Sequence, residues 1–144
     1  MPDPILPQLQ AAVALLATNV DEASAQLRGL YTQDLHYENP IQRVEGVEAF
    51  LRLMRHMATR WAPFSTQIDE GLESPDRVLG RFRLAFRPTF LRRTLEIEGL
   101  TRCVVAQGRI IEQRDYYDAM SSALDAVPLA GPVYRKIIAQ FTIE

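Results

Sequence analysis

The spacing of apolar residues changes at Pro63, and that change limits what the chain can fold into. Before it, apolar side chains recur every three or four positions, the period of a helix. After it they alternate, the period of a strand. Ile5, Leu6, Leu9, Val13 and Leu16 form a first helical stripe, with Pro7 in the first turn, where a missing N–H is harmless. A break at Thr18-Asn19 follows, and Asn19 with Glu22 reads as a capping box. Val20, Ala23, Leu27, Leu30 and Tyr31 give a second stripe, so a helical hairpin is predicted. Residues 34–39 read as a short strand ended by Asn39-Pro40, and a loop then carries Arg43 and Gly46. Val47, Phe50, Leu51, Met54, Met57, Ala58 and Trp61 form the clearest amphipathic helix, with Arg52, Arg55, His56 and Arg60 on its other face.

Beyond Pro63, residues 64–73, 77–87, 94–106 and 109–118 read as four antiparallel strands joined by hairpins. Ser74-Pro75-Asp76 and Gln107-Gly108 supply turns. Helices first and an antiparallel meander after them define an α+β fold, in which the helices cover one face of the sheet. Residues 1–126 are predicted as one domain. Residues 127–144 are predicted as a stiff linker, Val127-Pro-Leu-Ala-Gly-Pro132, and a short helix opening at Pro132 that packs on that domain or on a dimer partner.

Bulk properties exclude several classes. At 144 residues, 47% apolar and 24% charged, the chain is long enough for one real core. A net charge of -2 without a basic block argues against nucleic acid as the main partner. The single cysteine, Cys103, rules out an intrachain disulfide and any multi-cysteine metal site. His36 and His56 show no metal-ligand spacing, so neither a metal nor another cofactor is expected. The Met-Pro-Asp-Pro start lacks the basic opening of a secretory signal, and no apolar run reaches the roughly 20 residues that span a bilayer. A cytoplasmic location is the default, with no membrane contact expected.

The last strand carries the candidate site. Asp115 and Tyr117 stand two apart and leave by one face, an acid beside a phenol on an apolar inner surface. What lies opposite Tyr117 depends on the turn at Gln107-Gly108. A two-residue loop places Glu98 there. A three-residue loop with Gly108 left-handed places Ile97 there, which matches apolar with apolar and is preferred. On the 77–87 strand, either Arg81 and Arg83 point inward and make the pocket cationic, or Phe82, Leu84 and Phe86 do and make it greasy. Burying arginine without partners is costly, and Asp115 is the one acid in view for two of them.

Several pieces in order carry a family resemblance: Leu30-Tyr-Thr-Gln-Asp34, Tyr37-Glu-Asn-Pro40, Gly46-Val-Glu-Ala-Phe50 and Gly108-Arg-Ile…Arg114-Asp-Tyr-Tyr-Asp118. The chain up to about Ser122 resembles the nuclear transport factor two-like superfamily. That group includes SnoaL-like polyketide cyclases, ketosteroid isomerases and limonene epoxide hydrolases, and the nearest likeness is to uncharacterised bacterial members. The resemblance implies a strongly curved antiparallel sheet wrapped by N-terminal helices into a cone with a pocket inside, and commonly a homodimer through the outer sheet face. In the isomerases the general base is an aspartate where this chain has Asn39, and an amide cannot take a proton near neutral pH. The epoxide hydrolases resemble the chain at Tyr37-Glu38-Asn39, which would help hold a water, and at Asp115. Their Arg-x-Asp pair meets Arg81-Phe82-Arg83, so the second carboxylate is missing.

Both catalytic sets are therefore incomplete, and the sequence leaves enzyme activity open. It points to a protein that binds a small, mostly apolar molecule, with Tyr37, Asn39, Arg81 and Tyr117 as ligand-binding residues and Asp115 as the single candidate acid or base. The competing reading is a non-catalytic dimerising or regulatory module with a vestigial pocket. In that case Tyr37 is a core tyrosine, Asn39 fixes a turn, and Asp115 bridges strands.

Overall fold

The computed structural model describes residues 3–61, 63–88, 91–120 and 130–141. Helices α1 (Ile5–Ala14) and α2 (Val20–Leu30) are joined by a single 3-10 turn, Leu15–Ala17. Strands β1 (Tyr31–Glu38) and β2 (Arg43–Glu45) come next, then α3 (Val47–Arg60). The meander follows as β3 (Phe64–Ser74), β4 (Arg77–Phe86), β5 (Leu95–Ala106) and β6 (Arg109–Tyr116). A last helix, α4, spans Ala130–Ile138. The linker read at 127–132 falls partly outside the described residues. Residues 130–132 are the first turn of α4, so Pro132 is its third residue rather than its first, still within the turn that tolerates proline.

The strands form one curved, unclosed sheet in the order β2-β1-β6-β5-β4-β3. It is antiparallel except at β1–β6, which is parallel and pairs Tyr37 with Gln113. β1 takes the edge that β6 leaves, and the other edge of the meander, β3, ends the sheet. The strand predicted over 34–39 is longer, because Tyr31 opens β1 rather than closing α2. The loop carrying Arg43 holds a three-residue strand that folds back on β1, pairing Tyr37 with Val44.

The elements end where local chemistry ends them. Asn39 is followed by proline and turns the chain through its own side chain, whose Oδ1 accepts the Ile41 and Gln42 N–H groups at 2.9 and 3.0 Å. Gly46 starts α3 at φ 89°, a conformation that disfavours any residue with a Cβ. Asn19 caps α2 by accepting the Glu22 N–H at 3.1 Å. Helix α1 has no side-chain cap of its own. Glu73 at the end of β3 supplies one across the fold, its carboxylate accepting the Ile5 and Leu6 N–H groups at 2.6 and 3.0 Å. A negative charge there also suits the helix dipole.

Helices and sheet meet over a core of Leu9, Leu16, Leu27, Tyr31, Leu35, Val78, Cys103 and Ile110, all essentially inaccessible. α3 buries Val47, Phe50, Leu51 and Met54, the predicted stripe, and exposes Arg52, Arg55, His56 and Arg60. Replacing Glu73 with alanine leaves two helix N–H groups without their acceptor. Glu73→Ala should lower stability by about 1–2 kcal/mol, as lost helix caps do. Urea unfolding measures it, and an unchanged midpoint would show that water caps α1 equally well.

Candidate functional site

The turn between β5 and β6 decides what faces inward. Gln107 and Gly108 both have positive φ, 53° and 78°, and Ala106 pairs with Arg109, so the loop has two residues rather than the preferred three. A bulge then intervenes: Ile110 pairs with Val105 but Glu112 with Val104, leaving Ile111 surplus. Beyond it Thr101 lies opposite Asp115 and Leu100 opposite Tyr116. Neither Ile97 nor Glu98 therefore faces Tyr117; one step along the ladder from Leu100 stands Gly99. On β5, Ile97, Cys103 and Val105 are buried and Glu96, Glu98 and Arg102 lie on the outer side.

Asp115 is the centre of a hydrogen-bond cluster drawn from three neighbouring strands. Its Oδ1 accepts from the Thr101 hydroxyl at 2.6 Å and from the Gln113 amide at 3.1 Å. Its Oδ2 accepts from the Tyr37 hydroxyl at 2.7 Å. Tyr31 donates to the Gln113 carbonyl oxygen at 2.5 Å, which turns the Gln113 NH2 towards the acid. Asn39 uses its oxygen in the turn, so its NH2 is left to donate to the Tyr37 oxygen at 3.3 Å. The turn that Asn39 fixes thus also aims its amide at the cavity.

Among the described residues, every group that donates to the Asp115 carboxylate is neutral. Burial disfavours its charge more than the bonds from Thr101, Tyr37 and Gln113 favour it, so its pKa lies above the ordinary value of 3.8. Burial, and then the nearby acid, push the Tyr37 and Tyr117 hydroxyls up as well. Cys103, on the same inner face, is pushed up to about 12, chiefly by burial, and stays a thiol.

The cluster forms one wall of a partly open cavity of about 90 Å³ between the sheet and the helices. Tyr37, Asn39, Asp115 and Tyr117 all line it, with Leu9 and Val13 of α1, Met54 and Met57 of α3, Phe64 of β3, and Phe82 and Leu84 of β4. Arg81 does not. It lies on the outer face with Arg83, and both pair there with Asp69. The Arg83 guanidinium donates to both Asp69 oxygens, at 2.7 and 3.2 Å, and holds that carboxyl below its usual range. Asp69 sits at a bulge in β3, between Ile68 opposite Phe82 and Glu70 opposite Arg81. The bulge turns it outward, and so supplies the partner that Asp115 alone could not be. Phe82 takes the inner position and meets the Tyr117 ring edge-on, 6.1 Å between centroids. Gly99 makes room for it, since a Cβ there would lie 2.6 Å from the Phe82 ring.

Thr101, Gln113 and Tyr31 were not singled out by sequence. A signal existed for two of them. Thr101 is polar on the apolar face of β5, and Gln113 stands two before Asp115. Tyr31 had none while it was read as helical. His36 is exposed and pairs with Glu45 on the far side of β1. Among the described residues no three of His, Cys, Asp or Glu gather closely enough to hold a metal ion.

The chain belongs to the SnoaL-like domain family, whose sequence profile matches residues 10–113. No curated protein matches it in sequence. Solved structures share its fold. One is a hypothetical protein of ketosteroid isomerase-like fold from Catenulispora acidiphila, in complex with trimethylamine, at 17% identity and TM-score 0.68 over 83% of this chain and 92% of that one. A second is a candidate SnoaL-like polyketide cyclase from Jannaschia sp. CCS1, at 18% and 0.66 over 90% and 97%. A third is an LEH-like epoxide hydrolase of M. tuberculosis, at 25% and 0.63 over 92% and 97%. Among the described residues no helix is long and apolar enough to cross a membrane.

The raised pKa of Asp115 has a consequence for stability. An acid that binds its proton more tightly when folded stabilises the native state below the unfolded pKa, and that contribution is lost as pH rises through the folded pKa. The stability of the wild type relative to Asp115→Asn should therefore fall as pH rises from about 3.8 through the raised value, then level off. Urea titrations across that window measure it. A difference that grows with pH would mean that the three hydrogen bonds outweigh burial.

Proposed function

We propose that the protein binds a small, mostly apolar molecule in the cavity, and that Asp115 is the single acid–base group acting on it. The observation that carries this reading is a lone carboxyl, held by neutral donors, facing a greasy space. Its raised pKa moves it towards the range in which a carboxylate works as a base near neutrality. Tyr117 makes no hydrogen bond to another described residue through its hydroxyl, which leaves a donor beside the acid. Asn39 keeps a second amide hydrogen.

This set suits proton transfer at carbon better than hydrolysis. Asp115 takes a proton from a carbon beside a carbonyl. The C–H electron pair moves into the new C–C double bond, and the carbonyl oxygen takes the negative charge under the Tyr117 or Asn39 donor. Asp115 then returns the proton to carbon, so one group serves in both directions. Epoxide opening by water needs a second acid, and the resemblance would put it at Arg83, an arginine that lies on the outer face and pairs with Asp69.

A probe small enough for the cavity, cyclopentanone in D2O, tests the reading. Deuterium uptake at the carbons beside its carbonyl, followed by NMR, should be accelerated by the protein. Asp115→Asn should slow that exchange by about 10²–10⁴-fold. Binding without exchange would leave a binding protein, and equal exchange by the variant would remove Asp115 from the chemistry.

One observation favours the module reading. Leu72, Leu79, Leu100 and Tyr116 are exposed on the outer sheet face, with Leu72 opposite Leu79 and Leu100 opposite Tyr116. A homodimer across this face, to which α4 also contributes, would cover them. Sedimentation equilibrium should then give a dimer in the wild type and a monomer in Leu79→Lys/Leu100→Lys; a wild-type monomer would dispose of the idea.

A further inference from the structure

Two stretches, 49–68 and 84–95, contain six arginines and a histidine and no acid, in a chain whose net charge is -2. The fold brings them together. Phe64 pairs with Phe86, the Arg87 N–H donates to the Pro63 carbonyl at 3.2 Å, and the Trp61 ring stacks on Phe86 at 4.6 Å. One end of the molecule is therefore a basic rim built from the C-terminus of α3 and the β4–β5 loop. Arg55 is tied to Asp21 at 2.5 Å. Arg60, Arg87, Arg92 and Arg93 are exposed and form no ion pair with a described residue.

The cavity reaches this same end. Met57, one of its walls, precedes Arg60 by three residues on α3, so the two are neighbours where the apolar stripe meets the exposed face. Phe64, another wall, lies beside the Phe86–Arg87 step of β4. Asn39 and Tyr117, both lining residues, follow the last residues of β1 and β6. β6, opposite Leu100 at Tyr116, runs towards this end and stops five rungs short of the Leu95–Phe86 pair. At about 90 Å³ the cavity is well below the roughly 300–1,000 Å³ that encloses a drug-sized molecule, so a ligand of that size must project out of it.

We propose that the ligand is amphipathic: its apolar body lies in the cavity, and an anionic group, a carboxylate or a phosphate, stays at the arginine rim. This rests on the small-molecule reading of the cavity given above. Charge gives the ligand a direction. The Asp115 carboxyl inside disfavours a second negative group beside it, while the exposed arginines attract one. Planar guanidinium groups suit both carboxylate and phosphate, which is why the two anions are tested as separate arms.

Protein-observed NMR titration with hexanol, hexanoate, hexyl phosphate and inorganic phosphate tests this, with the Met57 methyl as reporter. At low ionic strength at least one of the two hexyl anions should bind about tenfold or more tighter than hexanol, a gap that narrows as salt screens the rim. Whichever anion gains more identifies the head group. Reversing the loop charges in Arg87→Glu/Arg92→Glu/Arg93→Glu should close the gap and leave hexanol affinity unchanged. Equal affinity for hexanol and both anions, or a gap that survives the triple variant, overturns the proposal and leaves the cavity reading standing. Inorganic phosphate binding as tightly as hexyl phosphate also overturns it, because the rim would then act without the cavity. If hexanol itself fails to move the Met57 methyl, the cavity reading falls and this inference with it.

Discussion

The bond between Tyr37 and Asp115 joins the two ends of the chain's logic. β1 is laid down before α3 and the meander, yet it completes the sheet against the last strand. Parallel pairing at that seam is interrupted, with a register break between Tyr31 and His36. Side chains bridge the break: Tyr31 to Gln113, Tyr37 to Asp115. Buried hydrogen bonds of this kind gain little when made and cost more when left half-made, so each partner fixes the next. The same bonds that close the seam aim the carboxyl in the cavity and partly offset the burial that raises its pKa. Asp115 therefore bridges strands and lines the cavity through one network.

The helices and the meander were legible because periodicity is a local signal. The choice between Arg81 and Phe82 was only half legible: the cost of burying unpaired charge spoke for Phe82, yet the sequence reading counts Arg81 among the ligand-binding residues, and it lies outside the cavity. What the sequence hid was irregularity. Ile110 and Asp115 are five apart, an odd separation, yet Ile110 is in the core and Asp115 faces the cavity. A plain strand would send them to opposite faces. The surplus residue at Ile111 reconciles them, and alternation alone cannot announce it. Asp69 is the same lesson on β3, where a bulge supplied the arginines with a partner that the alternating pattern did not show. The parallel seam was equally hidden, since pairing between residues some 80 apart leaves no trace in local spacing.

The family relation supplies a scaffold, and the chemistry has to be read from the side chains. Here the inner face offers one carboxyl, two free-facing donors and a ring, Phe82, that Gly99 admits. The shape of that inner face depends in part on a single glycine–phenylalanine contact. The charged residues that the pocket lacks are gathered instead on the rim and on the outer face, where water screens them.

Helix α1 provides a last point. It is ten residues long, shorter than the roughly 12–15 that an isolated helix needs to persist in water, and its first N–H groups are capped by a carboxylate 67–68 positions away. It also supplies Leu9 and Val13 to the cavity wall. The earliest helix in the chain therefore depends on the β3–β4 hairpin for its permanence. Whatever loosens that hairpin loosens the lining of the cavity too, although no residue of the hairpin tip touches Asp115.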